Sequence, residues 1–354
     1  MTAIAQPAPD IAQPAAGAEF EPPAATADAP PERRRRRIAL LVVLLAMALV
    51  LLLLVIWYLL FRQPITDILP VPNVTNPPGY QLSLYELNKP LAVAVTGDGS
   101  RIIVTQGSGD RAMLMLDASG NQLATLTPPT AVAISATQLY VAINPISGDI
   151  YATDRANGAI FRYSASGEYI DKFTPSPAIV GWQPLGIAFD AAGNMYVTDV
   201  GGTSQRVHMF GTDGALVRDF GVSDLLSFPN GIAVDAAGNA YVADSNNGRL
   251  LVFDASGARI GAVARGAGES DLGMPRGVAV DGHGRVYVVD AVGQAVQMYR
   301  AMQAGDAAPV YLTTFGHEGT VDGAFEFPNG VAVDGRGRIY VADWNNDRLQ
   351  IWSY

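Results

Sequence analysis

Residues 229–253 read Pro229-Asn-Gly-Ile-Ala-Val-Asp235, Ala-Ala-Gly-Asn-Ala-Tyr-Val-Ala-Asp244 and Ser-Asn-Asn-Gly-Arg-Leu-Leu-Val-Phe253. Nearly the same order returns near the end of the chain, from Pro328-Asn-Gly-Val-Ala-Val-Asp334 to Trp352. Short apolar runs separated by glycine-bearing turns are typical of β-strands joined by hairpins. Two copies of such a unit in one chain indicate a repeat architecture.

Weaker copies of the unit begin at Pro184 and Pro275, and degenerate copies lie near Pro90 and Leu139. The ends of the predicted second strands are separated by 48, 45, 45, 46 and 53 residues, at Gln106, Asp154, Asp199, Asp244, Asp290 and Asp343. A period near 45 residues fits the four-stranded blade of a β-propeller. A helical solenoid would need a 3.6-residue apolar period, which these segments lack.

The sixth repeat stops at Tyr354, directly after its third strand. A strand-length segment without a repeat of its own, Tyr80 to Leu87, precedes the first repeat. We expect this segment to pair with Leu349–Ser353 as the fourth strand of the last blade, because such pairing removes exposed sheet edges. The sequence therefore predicts an all-β, six-bladed propeller over residues 80–354.

This pattern resembles the NHL-repeat family of β-propellers. The resemblance is carried by the Pro-x-Gly-Ile/Val-Ala-Val-Asp, Tyr-Val-Ala-Asp and Asn-x-Arg runs, and it is strongest in repeats three to six. The family includes outer sensor domains of bacterial membrane kinases, RNA- or protein-binding domains and a peptide-amidating lyase. The resemblance therefore implies a fold and leaves the function open.

The N-terminal part predicts a membrane anchor. Residues 1–32 are rich in Ala and Pro and are expected to be a disordered cytoplasmic tail. The polyarginine run 33–37 then precedes 24 uncharged residues, 38–61, of which 18 are Leu, Val, Ile or Phe. A helix of this length spans about 36 Å, enough to cross the hydrocarbon core of a bilayer.

A cleaved signal peptide is the alternative, but its apolar region would be shorter and followed by a small-residue cleavage site. Here Phe61-Arg-Gln-Pro64 follows. Since the arginines precede the helix, we expect a single-pass protein of the cytoplasmic membrane with a cytoplasmic N-terminus. The proline-rich stalk 62–79 would hold an extracytoplasmic propeller away from the bilayer. Two lysines against 21 arginines favour a GC-rich bacterial source.

Charge and composition restrict the partners and cofactors. Residues 63–354 carry 17 basic and 28 acidic side chains, a net charge of −11. Nucleic acid is therefore not an expected partner, because its binding depends on neutralising phosphates. The chain has no cysteine, which excludes disulfides, thiolate metal sites and a cysteine nucleophile.

The recurring carboxylates have a structural explanation. Each ends a predicted strand before a tight turn, where it can accept backbone N–H groups and pair with Arg206, Arg249 or Arg348. A calcium-binding ring is the alternative, although no dense Asp-x-Asp-x-Asp-Gly loop is present. We interpret them as structural turn carboxylates: Asp154, Asp199, Asp244, Asp290 and Asp343.

No set of catalytic residues is evident. His208, His283 and His317 fall at three non-equivalent positions of their repeats, so we expect surface histidines and no zinc site. Nucleophile-elbow, Walker and His-Glu-x-x-His motifs are absent. We therefore expect no cofactor, unless the chain is a metal-dependent hydrolase or lyase with an axial calcium or zinc site.

The irregular positions of the repeats indicate a binding face. First strands begin and second strands end on one face of the predicted ring, where aromatic and arginine side chains are typical anchors. Packing between blades is the alternative for the two tryptophans. We expect a membrane-anchored, non-enzymatic binding or sensor propeller that recognises a protein, peptide or glycan through Trp182, Asn230, Arg276, Asn329 and Trp344.

Overall fold

The structure of the chain is a computed structural model that describes residues 31–61, 76–109, 113–127, 140–264 and 271–354. The chain divides into two units, Met1–Ile65 and Thr66–Tyr354. Most of the predicted tail 1–32 and most of the predicted stalk 62–79 lie outside the described residues.

Helix α1 runs from Pro31 to Phe61, so it begins before the predicted span 38–61 and includes the polyarginine run. Proline suits the first helical position and arginine is a good helix former, which accounts for the earlier start. The described side chains from Ile38 to Leu53 are exposed. Among the described residues, no helix combines the length and the apolar character of a membrane span.

The second unit is a six-bladed β-propeller, as predicted. Its described residues form six sheets of four antiparallel strands each. The first strands are β2 (Pro90–Val95), β6 (Val141–Ile143), β10 (Pro184–Phe189), β14 (Pro229–Val234), β18 (Pro275–Val280) and β22 (Pro328–Val333). The second strands are β3 (Arg101–Gln106), β7 (Ile150–Asp154), β11 (Met195–Asp199), β15 (Ala240–Asp244), β19 (Arg285–Asp290) and β23 (Ile339–Asp343).

The outer half of each blade is built in the same order. The third strands are β4 (Met113–Asp117), β8 (Ala159–Tyr163), β12 (Arg206–Phe210), β16 (Arg249–Phe253), β20 (Ala295–Arg300) and β24 (Arg348–Ser353). The fourth strands are β5 (Gln122–Leu126), β9 (Tyr169–Phe173), β13 (Leu216–Phe220), β17 (Arg259–Val263), β21 (Val310–Phe315) and, in blade six, β1 (Gly79–Leu84). Two short 3-10 helices cover Val222–Asp224 and Ser245–Asn247.

The ring closes as predicted, between the two ends of the propeller sequence. Strand β1 pairs antiparallel with β24, from Gly79 opposite Ser353 to Leu84 opposite Leu349. The ring of Trp352 lies edge-on to Tyr80, with 5.9 Å between ring centres. Strand β1 ends at Leu84, before the predicted Leu87, and Glu86 adopts a left-handed conformation with φ of 64°.

The core lies between neighbouring blades. First strands of adjacent blades contact each other around the ring, and apolar side chains fill the space between the sheets. Between blades four and five, for example, Tyr241 and Leu250 pack with Val278 and Val286. Between blades five and six, Tyr287 packs with Val341. Each blade therefore buries its apolar surface against its two neighbours, and the closed ring holds all six blades in this contact.

In five blades, the residue that ends the second strand accepts a hydrogen bond from the backbone at the start of the blade. In blade four, Asp244 accepts the N–H of Ser227 at 2.7 Å and pairs with Arg249 Nε at 2.6 Å. In blade one, the side-chain oxygen of Gln106 accepts the N–H of Asn88 at 2.9 Å in the same way. These contacts define one face of the ring, the loop-rich face, where first strands begin and second strands end.

The carboxylates of blades five and six bind the start of their blades in the same way, whereas that of blade two binds the turn that follows it. Asp343 accepts the N–H of Glu326 and the Nε of Arg348, both at 2.8 Å. Asp290 accepts the N–H groups of Gly273 and Met274 at 2.7 and 2.9 Å. Asp154 accepts the side-chain amide of Asn157 at 2.6 Å. An arginine pairs with this carboxylate in blades four and six, half-buried Arg249 and buried Arg348.

Blade three departs from the predicted pairing. Arg206 pairs with Asp219, with 3.4 Å between Nη1 and Oδ2, and His208 lies beside Asp199 instead. Burial raises the pKa of Asp199, but the hydrogen bonds from His208 and from the N–H groups of Gln183 and Gly201 outweigh it, so the pKa is lowered overall.

We predict that ring closure contributes more to stability than an ordinary outer strand does. Replacing Gly79–Leu84 by six Gly and Ser residues should lower the unfolding midpoint and promote aggregation, because β24 then presents an unpaired edge. Thermal unfolding with light scattering measures both effects. The matched control replaces β5, the outer strand of blade one. Equal losses in the two variants would contradict the prediction.

We predict that acid destabilises the propeller partly through Asp199. Its pKa is lower in the folded than in the unfolded chain, so its contribution is present above the unfolded value near 3.9 and is lost as pH falls through the folded value. Asp199→Asn should be less stable at pH 7 and lose less stability between pH 5 and pH 2. Urea unfolding across this range tests the prediction, with the exposed Glu168→Gln as control. Parallel pH profiles of wild type and Asp199→Asn would refute it.

Candidate functional site

Glycines allow the first strands to approach one another around the axis. A Cβ atom on Gly186 would lie 2.1 Å from the carbonyl oxygen of Asn230, and one on Gly231 would lie 2.2 Å from that of Arg276. The same holds for Gly277, whose Cβ would lie 2.6 Å from the carbonyl oxygen of Asn329. Because real Cβ atoms cannot approach so closely, these positions require glycine. The glycines bring the residues before them close to the axis.

Blade two carries a tyrosine at this position. The N–H of Tyr140 binds the hydroxyl of Thr153, just as the N–H of Gly186 binds that of Thr198. The Tyr140 hydroxyl contacts Oδ1 of Asn230, in blade four, and lies 3.1 Å from Oδ1 of Asn329, in blade six. Side chains of three alternate blades therefore meet at the axis of the ring and form a polar floor.

Two hydrogen-bond donors of this floor have no acceptor among the described residues. Asn230 and Asn329 are fully buried, and Tyr140 is 6% exposed. The Nδ2 atoms of both asparagines have no hydrogen-bond partner within the described part of the chain. Buried polar groups are normally satisfied by protein or by another molecule. Two N–H groups of the floor are therefore left unsatisfied by the described residues.

Two arginines from opposite blades act on the same tyrosine. Burial raises the pKa of Tyr140, while the positive charges of Arg276 and Arg155 oppose that rise. The Nε atoms of both arginines are buried and have no partner among the described residues. Nη2 of Arg276 donates to Sδ of Met274 at 3.5 Å. Both guanidinium groups also lie over aromatic rings, Arg155 at 5.7 Å from the centre of Phe228 and Arg276 at 5.4 Å from that of Phe327.

The two phenylalanines adopt an unusual backbone conformation. Phe228 and Phe327 both have φ of 54°, in the left-handed region that bulky residues rarely occupy. The N–H of Phe327 donates to the side-chain oxygen of Gln294 at 2.9 Å. In the same way, the N–H of Phe228 donates to the side-chain oxygen of Gln205. Such conformations persist where the surrounding structure imposes them, and they concentrate at ligand sites.

We call Tyr140, Arg155, Asn230, Arg276 and Asn329 the axial cluster. Its side chains supply guanidinium and amide N–H groups and one hydroxyl. Among the described residues, no group of three or more His, Asp or Glu side chains is placed to hold a metal ion. The arrangement is suited to binding an acceptor or an anion, because its donors are fixed before the ligand arrives.

Three of the five predicted binding residues, Asn230, Arg276 and Asn329, meet at the axis. Trp344 is half-buried at the rim of the cluster, with its ring 6.2 Å from that of Phe327. Trp182 is elsewhere: it is 8% exposed and packs between blades, and its Nε1 donates to the carbonyl of Gly158 at 2.7 Å. Its ring also contacts Phe210 and His208, so the packing alternative describes Trp182.

Sequence reasoning missed Tyr140, Arg155, Phe228 and Phe327. Tyr140 falls at the glycine position of the degenerate second repeat, which lacks the Pro-x-Gly marker. Arg155 directly follows Asp154, as Trp344 directly follows Asp343. Aligning the repeats on these carboxylates would therefore have placed Arg155 on the loop-rich face.

The three histidines lie apart from the axial cluster. His208 is 2% exposed, so the expectation of a surface histidine is wrong for it. Its Nε2 lies 3.0 Å from Asp199, and its Nδ1 lies 2.6 Å from Asp219. His283 lies in the hairpin between β18 and β19, on the opposite face, and His317 lies in the connection between blades five and six.

Comparison with known structures shows the fold. A streptogramin B lyase aligns with a TM-score of 0.55 and 15% identity, over 77% of this chain and 96% of the lyase. A catalytically inactive virginiamycin B lyase from Staphylococcus aureus gives a TM-score of 0.55 and 16% identity, over 77% and 98%. A protein of unknown function from Bacteroides thetaiotaomicron gives 0.58 and 16%, over 78% and 72%. At such identities the likeness concerns the fold alone.

Sequence comparison gives shorter matches. The B-box type zinc finger protein ncl-1 of Caenorhabditis elegans is 48% identical over 44 residues, which are 12% of this chain and 5% of that protein. The family model of the NHL repeat matches residues 226–253 and 325–352, which belong to blades four and six. The NHL repeats and the six-bladed propeller together fit the NHL family, as the sequence pattern indicated.

Proposed function

We propose that this chain is a binding propeller that recognises a protein, peptide or glycan through its loop-rich face. The axial cluster is the observation that carries the proposal. Among the described residues, it combines buried amide N–H groups without partners, two arginines that form no ion pair and a half-buried aromatic rim. A group that only stabilises a fold is normally satisfied by that fold, whereas a binding site retains its donors for the ligand.

Binding is better supported than catalysis. The similar lyases share the fold at 15–16% identity, and one of them is described as catalytically inactive with a histidine replaced by alanine. In this chain none of the three histidines belongs to the axial cluster. The cluster also contains no carboxylate. The metal-dependent hydrolase or lyase therefore has no specific observation in its favour.

We further propose that residues 38–61 anchor the propeller outside a bacterial cytoplasmic membrane. The support comes from the 24 uncharged residues and from the five arginines that precede them. On a biological insertion scale, 18 Leu, Val, Ile and Phe residues favour insertion by roughly 5–11 kcal/mol. The arginines favour a cytoplasmic N-terminus, which leaves the propeller on the other side.

We predict that partners contact the loop-rich face. A photo-crosslinking phenylalanine analogue at Trp344 should yield defined adducts in isolated cell envelopes. The same analogue at Ala237, in the exposed hairpin of blade four on the opposite face, should yield few. Mass spectrometry of the adducts identifies the captured chains. Equal capture at the two positions would remove the loop-rich face from consideration.

We predict that membrane association depends on the apolar run. Leu45→Arg with Leu52→Arg adds about 5–7 kcal/mol to the cost of insertion, comparable with the whole gain from the apolar residues. The double variant should therefore leave the membrane fraction on carbonate extraction. Leu45→Ala with Leu52→Ala should stay in that fraction. Retention of the arginine variant would argue against an anchor.

A further inference from the structure

The axial cluster carries a charge opposite to that of the domain around it. Residues 63–354 hold 17 basic and 28 acidic side chains. Most described arginines of the propeller pair with a carboxylate. No ion pair among the described residues includes Arg155 or Arg276. Both positive charges act on the same buried hydroxyl, and charges interact more strongly in the protein interior than in water. An anion bound at the cluster would offset both of them.

The floor supplies the hydrogen bonds that such an anion needs. Nδ2 of Asn230 and Nδ2 of Asn329 are buried donors from blades four and six, and the Oδ1 atoms of the same two amides lie at the Tyr140 hydroxyl. That hydroxyl carries one proton, so it can donate to one acceptor at a time. Together with the two guanidinium groups, the site presents donors from four of the six blades. This matches an oxygen-bearing anion with several lone pairs.

The acidity of the domain favours a ligand with a single charge. A net charge of −11 opposes the approach of polyanions and of dianionic phosphate groups. A carboxylate carries one negative charge and forms paired hydrogen bonds with guanidinium groups. The local positive charge of the cluster can therefore hold a carboxylate within an otherwise repulsive field.

The rim indicates what is attached to that carboxylate. Phe228, Phe327 and Trp344 are half-buried around the cluster, so the ligand meets apolar surface directly above the charged floor. A chain terminus can enter along the axis end-on, whereas an acidic sugar within a glycan continues on both sides of its carboxylate. The end of a peptide chain, with an apolar last side chain, meets both requirements.

Resting on the proposed function, we propose that the axial cluster binds the C-terminal carboxylate of a peptide whose last residue is apolar. Arg155 and Arg276 contact the carboxylate, and the asparagine amides of the floor orient it. The rim formed by Phe228, Phe327 and Trp344 packs against the last side chain.

Isothermal titration calorimetry of the full-length protein in detergent tests this proposal. The ligands are acetyl-Gly-Ser-Gly-Ala-Phe, the same peptide with a C-terminal amide, and a uronic acid trisaccharide. The free acid should bind at least 30-fold more tightly than the amide, because a hydrogen bond to a charged group changes affinity by about 10- to 100-fold. Stronger binding of the trisaccharide, or no binding of the free acid at millimolar concentration, would overturn the proposal.

Variants show whether binding uses this cluster. Arg155→Gln with Arg276→Gln should weaken binding of the free acid by about 100-fold or more. Asn329→Asp should abolish it, because a negative charge on the floor repels that of the ligand. Arg218→Gln is the matched control, because Arg218 Nε is also buried without a partner but lies on β13, outside the cluster. Circular dichroism melts verify folding. Unchanged affinity in the folded double variant would refute the proposal.

The experiment separates this proposal from the proposed function. If the free acid and the amide bind equally, and Trp344→Ala weakens both, the loop-rich face still binds peptides but does not recognise their termini. That result overturns the carboxylate proposal alone. Defined adducts at Trp344 from glycans or from internal peptide segments would do the same.

Discussion

The whole ring depends on one antiparallel ladder, between Gly79–Leu84 and Arg348–Ser353. Every other blade is local in sequence, because its four strands follow one another directly. Blade six alone joins residues more than 260 positions apart. By joining the two ends of the propeller sequence, it holds the ring closed. Since each blade buries apolar surface only against its neighbours, an open ring would expose that surface at both ends. The axis exists because the two ends of the propeller sequence share one sheet.

The axis in turn creates the site. Asn230 and Asn329 are fully buried because their strands approach their neighbours across glycines. Tyr140 reaches both asparagines from a third blade, although it is 90 and 189 residues away from them in the chain. Only closure of the ring brings these side chains within hydrogen-bond distance. Stability and binding therefore have the same structural origin in this fold.

Much of the fold could be predicted from the sequence, because the repeated Asp244 and Asp343 mark equivalent positions and the count of strands indicated how the ring closes. The site was predicted only in part. Asn230, Arg276 and Asn329 occur in well-preserved repeats, so their common position was evident. Tyr140 lies in a repeat that has lost its markers, and its contacts cross the ring between distant residues. No local pattern records such contacts.

A tyrosine in place of the inner glycine of blade two also removes the rotational equivalence of the blades. A ring of six identical units would accept a central guest in six interchangeable orientations, and none would be preferred. Here a single phenol group crosses the centre, with amides on two of its sides and leucines, Leu91 and Leu185, buried on first strands elsewhere in the ring. The six rotational orientations of a ligand at the centre are therefore no longer equivalent. The repeated blades form the ring, and the irregular blade two makes one orientation at its centre different from the others.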